Sequence, residues 1–145
     1  MPTHHEAFFE HESFAVIGHS KQRSFPRLTY NGLKNLGKTV YPVDQSTESI
    51  EGDPTFPDLS ALPGPVQGVV LEVPREETEA WVEKVAEAGV KDLWIHMGTE
   101  TPEAIEAARS HQIDTHTGTC AVMYVTPGFT YHSIHKWLMK LGNKY

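Results

Sequence analysis

Residues 14–26 read FAVIGHSKQRSFP, and this stretch decides the fold. Phe14 to Ile17 are apolar without alternation, which suits a strand buried on both faces. Gly18 ends the run and a polar, basic loop follows. Pro26 then fits the first turn of a helix, where its missing N–H costs nothing. Strand, turn and helix in that order is the unit from which parallel α/β sheets are assembled.

The rest of the chain repeats that unit. Leu28, Leu33 and Leu36 give the first helix a partial apolar face, and Gly37 stops it. TVYPV (39–43) reads as a second strand and VQGVVLEV (66–73) as a third. Between them SIEGDPTFPDLSALPGP (49–65) carries four prolines and reads as a surface crossover with at most a short helical turn. Residues 76–88 turn helical, with Trp81, Val82, Val85 and Ala88 on one face and Gly89 as the stop. DLWIHM (92–97) is a fourth strand. Thr101 caps a helix over 101–110, with Pro102 at its first position and Glu103 near its positive end. Ile113 to Thr115 make a short fifth strand, and HSIHKWLMKL (132–141) a closing helix. The pattern predicts an α/β fold: a single Rossmann-like, doubly wound, mainly parallel five-stranded sheet with helices on both faces. Residues 1–145 form one domain, with 1–13 as an N-terminal extension.

In such sheets a ligand lies at the carboxyl ends of the strands, at the switch point beside the first strand. Candidates are therefore Gly18 to Arg23, Asp44 to Ser46, Pro74 and Arg75, Met97 and Gly98, and Gly118 to Cys120. Gly18 permits a tight turn, Ser20 offers a hydroxyl, and the start of the following helix offers a positive end to a phosphate. Lys21, Arg23, Arg27, Lys34 and Lys38 fall in a segment, 21–38, that holds no Asp or Glu, although the whole chain carries a net charge of −7. That balance argues against a general nucleic-acid binder, and the basic segment beside the loop points to a local anion site. No window approaches the ~20 apolar residues of a membrane span. The N-terminal MPTHHEAFFEHES has no signal-peptide pattern, so a cytoplasmic protein is expected.

Other chemistries find less in the sequence. The fingerprint G-x-G-x-x-G is absent, though Asp44, 26 residues after Gly18, could accept the ribose hydroxyl of NAD. Of nine histidines, His132 and His135 share a predicted helix face, while His96, His111, His116 and Cys120 are scattered. With no H-E-x-x-H and no Cys pair, nothing fixes a full ligand set, and no metal site is expected. Cys120 has His116 four residues earlier but no identifiable orienting partner, so it reads as a small packed residue. Glu72, inside VVLEV, is expected to face water from its strand end; Trp81 and Trp94 are expected in the core.

FAVIGHS (14–20), VYPVD (40–44), SIEGDPTFPDLSALPGPV (49–66), VVLEVP (69–74), DLWIHMG (92–98), TGTCAVMYV (117–125) and HSIHKWL (132–138) together resemble the small stand-alone CoA-binding protein family. Its fold is similar to the nucleotide-binding domain at the start of the succinyl-CoA synthetase α subunit. The resemblance runs from about Ser13 to Tyr145. It implies that Gly18, His19 and Ser20 form the first phosphate loop, and that Val43 and Asp44 border the adenosine end. Val73 and Pro74 would belong to the loop after the third strand, Met97 and Gly98 would line the groove, and Cys120 would close it. The sequence departs from the family at His19, where a small residue is usual, and at Asp44-Gln45-Ser46, where Asn-Pro with a basic neighbour is common. Lys21, Arg23 and Arg27 would take over the missing phosphate contact.

The resemblance implies CoA or an acyl-CoA as ligand. The related synthetases use a second domain with a phosphorylated histidine, for which residues 1–145 leave no room, so binding without catalysis is expected. Two other readings stand beside it: an NAD(H)-binding oxidoreductase using Asp44, and a nucleotide-free interaction module. In the latter, the His-rich ends and the final helix would meet a second copy or a protein partner.

Overall fold

The computed structural model describes residues 4–125. Five parallel strands form one sheet in the order β2-β1-β5-β6-β7: β1 (Ser13–Gly18), β2 (Thr39–Val43), β5 (Gly68–Glu72), β6 (Asp92–Ile95) and β7 (Asp114–His116). The chain leaves β1 for β2 on one side, then returns to place β5 on the other. The switch point therefore lies between β1 and β5, at their carboxyl ends.

The unbroken apolar run of β1 is explained by its two buried faces. Ala15 and Ile17 join Val69, Leu71, Leu93 and Ile95 in a layer beneath α3 (Thr78–Glu87) and α4 (Pro102–Ser110). Phe14 and Val16 join Val70 and Trp94 in a second layer, beneath α1 (His4–Phe8), α2 (Phe25–Asn35) and α5 (Val122–Val125). The Rossmann-like α/β fold follows directly: a doubly wound sheet with helices on both sides. Trp81 and Trp94 lie in these layers. No helix among the described residues is long and apolar enough to cross a membrane.

The stops of α2, α3 and α4 share one device. At the end of α2 the Lys38 N–H reaches the Leu33 carbonyl and the Gly37 N–H the Lys34 carbonyl. The same pair of bonds closes α3 through Val90 and Gly89, and α4 through Ile113 and Gln112. Such closures place one residue in the left-handed region. In α4 that residue is Gln112, at φ 60°, rather than a glycine. Thr101 caps α4 as expected, its hydroxyl oxygen accepting the Ala104 N–H at 3.0 Å.

Four features differ from the expectations. Residues 4–8, inside the N-terminal extension for which no element is expected, form α1, because the Phe8 ring is fully buried against Phe14 and Trp94. The proline-rich crossover contains a small hairpin, β3 (Ser49–Ile50) with β4 (Asp53–Pro54), turned by Glu51 and Gly52 at positive φ. The buried face of α2 is Phe25, Thr29 and Leu33 with Pro26 and Tyr30, so Leu36 is exposed. Glu72 does not face water: it shares the face of Val70, two residues earlier, and is fully buried against α2. The expected closing helix over 132–141 lies outside the described residues.

Candidate functional site

The loops expected to form the site meet at the carboxyl ends of the strands. After β1, the N–H groups of Gln22 and Arg23 both donate to the His19 carbonyl, at 2.8 and 3.1 Å, making a tight turn. Asp44, directly after β2, fastens that turn. Its buried carboxylate accepts the Ser20 N–H at 2.8 Å, the Ser46 N–H at 2.8 Å and the Ser46 hydroxyl at 2.6 Å. The Lys21 N–H donates to the Ser46 hydroxyl oxygen at 3.2 Å. Every backbone N–H from Ser20 to Arg23 thus has an acceptor inside the chain. Anion recognition by this loop falls to its side chains and to the start of α2.

Gly18 serves packing rather than an open loop. A Cβ there would stand 2.3 Å from Pro26 Cγ and 2.8 Å from the Glu72 carbonyl oxygen. Its bare Cα lets α2 begin directly against the end of β1. His19 is buried, and its Nε2 lies 2.8 Å from a Glu77 carboxylate oxygen in the short 3-10 turn after β5. This pair bridges the β1 and β5 loops across the switch point.

Two clefts flank the bridge. On the β2 side a cleft of ≈ 690 Å³ runs between the β1 loop and the β3–β4 hairpin. Lys21, Arg23 and Arg27 line it, facing Thr47, Ser49 and Glu51. Arg27 is held there loosely, with its Nε 3.8 Å from a Glu51 oxygen. The hairpin is anchored to α2 by Asp53, which accepts from the Tyr30 hydroxyl and pairs with Lys34 at 2.6 Å. On the β6 side a second cleft of ≈ 610 Å³ includes Arg75, Gly98 and Thr101.

The candidate residues divide accordingly. Ser20, Lys21, Arg23 and Arg27 come together in the first cleft, and Gly98 lines the second, next to the exposed Met97. Val43 and Val73 are sealed in the layer under α3 and α4, so neither can offer a side chain to a ligand; Pro74 is half-buried beside them. The last residue of a strand still points into a core layer, and the loop opens one residue later. Cys120 is fully buried rather than closing the groove. Sequence reasoning missed Thr47, Ser49 and Glu51, although the Glu51-Gly52 step between Ile50 and Asp53 is a turn signal.

Two titrating groups lie beneath the loops. Burial pushes Glu72 up to about 8, only partly offset by the Thr29 hydroxyl that donates to its Oε2 at 2.8 Å. Its Oε1 has no hydrogen-bond partner among the described residues. His96, after β6, packs on the Phe25 ring at 4.3 Å, and burial lowers it to about 4. It is neutral at physiological pH. Among the described residues, the side chains close enough to share a metal ion lie elsewhere, toward the amino ends of β6 and β7.

Known proteins bring this geometry into focus. The chain is 32% identical over 92 residues to the acetate–CoA ligase (ADP-forming) II subunit alpha of Pyrococcus furiosus, and that match takes in 61% of this chain. The chain spans only 20% of that relative's length. Among solved structures, a conserved hypothetical protein of Pyrococcus furiosus superposes with a TM-score of 0.70 at 26% identity, over 77% of this chain and 97% of that one. A hypothetical protein of Pyrococcus horikoshii gives 0.74 at 23% identity, over 83% and 85%. A model of the CoA binding domain matches residues 12–126, from just before β1 to just after α5. The chain belongs to the CoA binding domain family.

Proposed function

We propose that this chain binds coenzyme A or an acyl-CoA without itself turning it over, with the phosphates in the cleft between the β1 loop and the β3–β4 hairpin. The observation that carries the reading is the convergence of Lys21, Arg23 and Arg27 on one cleft at the carboxyl ends of the sheet, in a family of CoA binding domains. Each cation that meets a phosphate oxygen contributes about 1.5–3 kcal/mol through a charge-assisted hydrogen bond. The loop amides are taken up by Asp44, Ser46 and His19, so these side chains and the Ser20 hydroxyl do the recognising. Arg27 exchanges its long contact with Glu51 for the 3′-phosphate, the group that separates CoA from simpler nucleotides. The thiol-bearing arm runs past the His19–Glu77 bridge toward the second cleft at Gly98.

The NAD reading is disfavoured by Asp44. Both of its carboxylate oxygens already accept donors from Ser20 and Ser46, which makes it a loop fastener. The test is a thermal-shift titration with CoA, acetyl-CoA, dephospho-CoA and NAD. A ligand at about a hundred times its dissociation constant adds roughly 2.7 kcal/mol, or roughly 5–10 °C for a domain of this size. CoA is expected to shift the transition, dephospho-CoA to shift it less, and Arg27→Ala to abolish that difference. A shift with NAD alone, or with none of the four, overturns the proposal.

A further inference from the structure

At the other end of the sheet, four histidines and two aspartates come together from four parts of the chain. His4 and His5 lie on α1, His11 just before β1, Asp92 at the start of β6, and Asp114 and His116 on β7. The ligating atoms of His4, His5 and His116 all lie within 4.8 Å of one another, as do those of Asp92, Asp114 and His116. His116 is the centre of both groups and is almost wholly buried.

The hydrogen bonds fix which nitrogen His116 presents. Its Nε2 lies 2.8 Å from Asp92 Oδ1. An ionised carboxylate only accepts, so in the neutral imidazole the proton sits on Nε2 and Nδ1 carries the lone pair. Asp92 is itself held by His11, whose Nε2 lies 2.8 Å from its other oxygen. A carboxylate behind an imidazole is the arrangement that orients metal-bound histidines and raises their basicity. In front of it, His5 Nδ1 stands 3.3 Å from His116 Nδ1. That is a long hydrogen bond beside the shortest histidine–aspartate contacts around it, at 2.8–2.9 Å. Two imidazole nitrogens, each about 2.0–2.1 Å from a tetrahedral ion, stand about 3.3–3.4 Å apart.

We propose that His5 and His116, through their Nδ1 atoms, and His4 form a binding site for a divalent first-row transition-metal ion of the zinc class. Asp92 is the carboxylate behind His116. Asp114, exposed and 2.9 Å from His4 Nε2, stands behind His4 in the same way, and a water fills the fourth position. Imidazole with carboxylate is a donor set suited to zinc, cobalt, nickel and copper rather than to calcium or magnesium. The ion would clip α1 to the sheet edge, a structural role separate from the groove at the carboxyl ends. Phe8 on the same helix, packed 5.1 Å from the His116 ring and 5.6 Å from Trp94, already holds α1 in place.

Cobalt(II) chloride titrated into the metal-free full chain tests this, with visible absorption as the readout and zinc competition and melting temperature alongside. The expected result is one equivalent of cobalt with four-coordinate d–d bands, displaced by zinc, and a zinc-dependent rise in melting temperature. His5→Ala, at a half-buried position that leaves the core intact, should remove the bands and the rise, as should His116→Ala. Asp92→Asn should weaken affinity by about 10–100-fold without removing a ligand. His111→Ala, at an exposed histidine paired with Glu83, should change nothing. Absent or six-coordinate bands overturn the proposal, as does unchanged affinity in His5→Ala.

Discussion

The two ends of this sheet solve the same problem, holding polar groups in place, by opposite means. At the carboxyl ends, side chains grip backbone: the Asp44 carboxylate collects amide and hydroxyl donors from Ser20 and Ser46, and the cations beside it stay turned toward the cleft. At the amino ends, side chains grip one another: His4, His11 and His116 pair with Asp92 and Asp114 amid the rings of Phe8 and Trp94. The first arrangement lines one cleft with Lys21, Arg23 and Arg27, where the proposed ligand would meet them. The second pairs its charged groups with one another, ties a terminal helix to the core and sets the Nδ1 atoms of His5 and His116 face to face. The difference teaches where to look for recognition and where for anchorage.

Four perturbations probe that contrast. The largest effect is expected at the anchored end. Phe8→Ala removes a fully buried ring and should cost about 3–5 kcal/mol in urea unfolding. A loss below about 1 kcal/mol would mean that α1 does not hold the core together.

Beneath the loops, Glu72 gives a pH signature. Its ordinary value is 4.5 and burial raises it to about 8 in the folded chain. Between those values the unfolded chain has released a proton that the folded chain keeps. Stability should therefore be full below the lower value and fall as pH rises, by up to about 1.4 kcal/mol per pH unit, before levelling off above the upper one. Glu72→Gln should flatten this slope, and an equally steep slope in the variant would assign it to other groups.

Asp44→Ala strips the acceptor from three donors and should cost about 2–3 kcal/mol, while also raising hydrogen exchange at Ser20 and Ser46. The contrast predicts that this loosening stays in the carboxyl-end loops; exchange spreading to α1 would blur the division. The smallest effect is a gain. Gln112→Gly relieves a left-handed residue at the end of α4 and should add about 1 kcal/mol in thermal unfolding.

How much of this was legible depends on the distance in sequence between partners. The carboxyl-end loops are legible because each begins where an apolar run ends, so Ser20, Lys21, Arg23 and Arg27 could be placed at the groove from local pattern alone. The family resemblance adds Val43 and Val73, and local pattern and resemblance both point to Cys120; the burial of all three shows the limit, since neither pattern nor likeness gives the direction of a strand's last side chain. Glu72 was misjudged for a related reason. A charged residue at a strand terminus is normally solvated, and only the fit of α2 over β5, made close by Gly18, encloses it.

The histidine cluster was not legible at all. Residues 4, 5, 11, 92, 114 and 116 share no spacing, and β7 brings His116 to α1 only because the sheet order places β6 and β7 beside each other at one edge. The sequence by itself determined the alternation of strand and helix, the parallel sheet, the helix stops and the basic segment after β1. All of these arise from periodicity, chain stiffness and charge within a few residues. Only the tertiary fold settles which polar groups pair, which way the strand-end residues face, and that a terminal segment becomes part of the core, because those outcomes turn on contacts between residues from 24 to 111 positions apart.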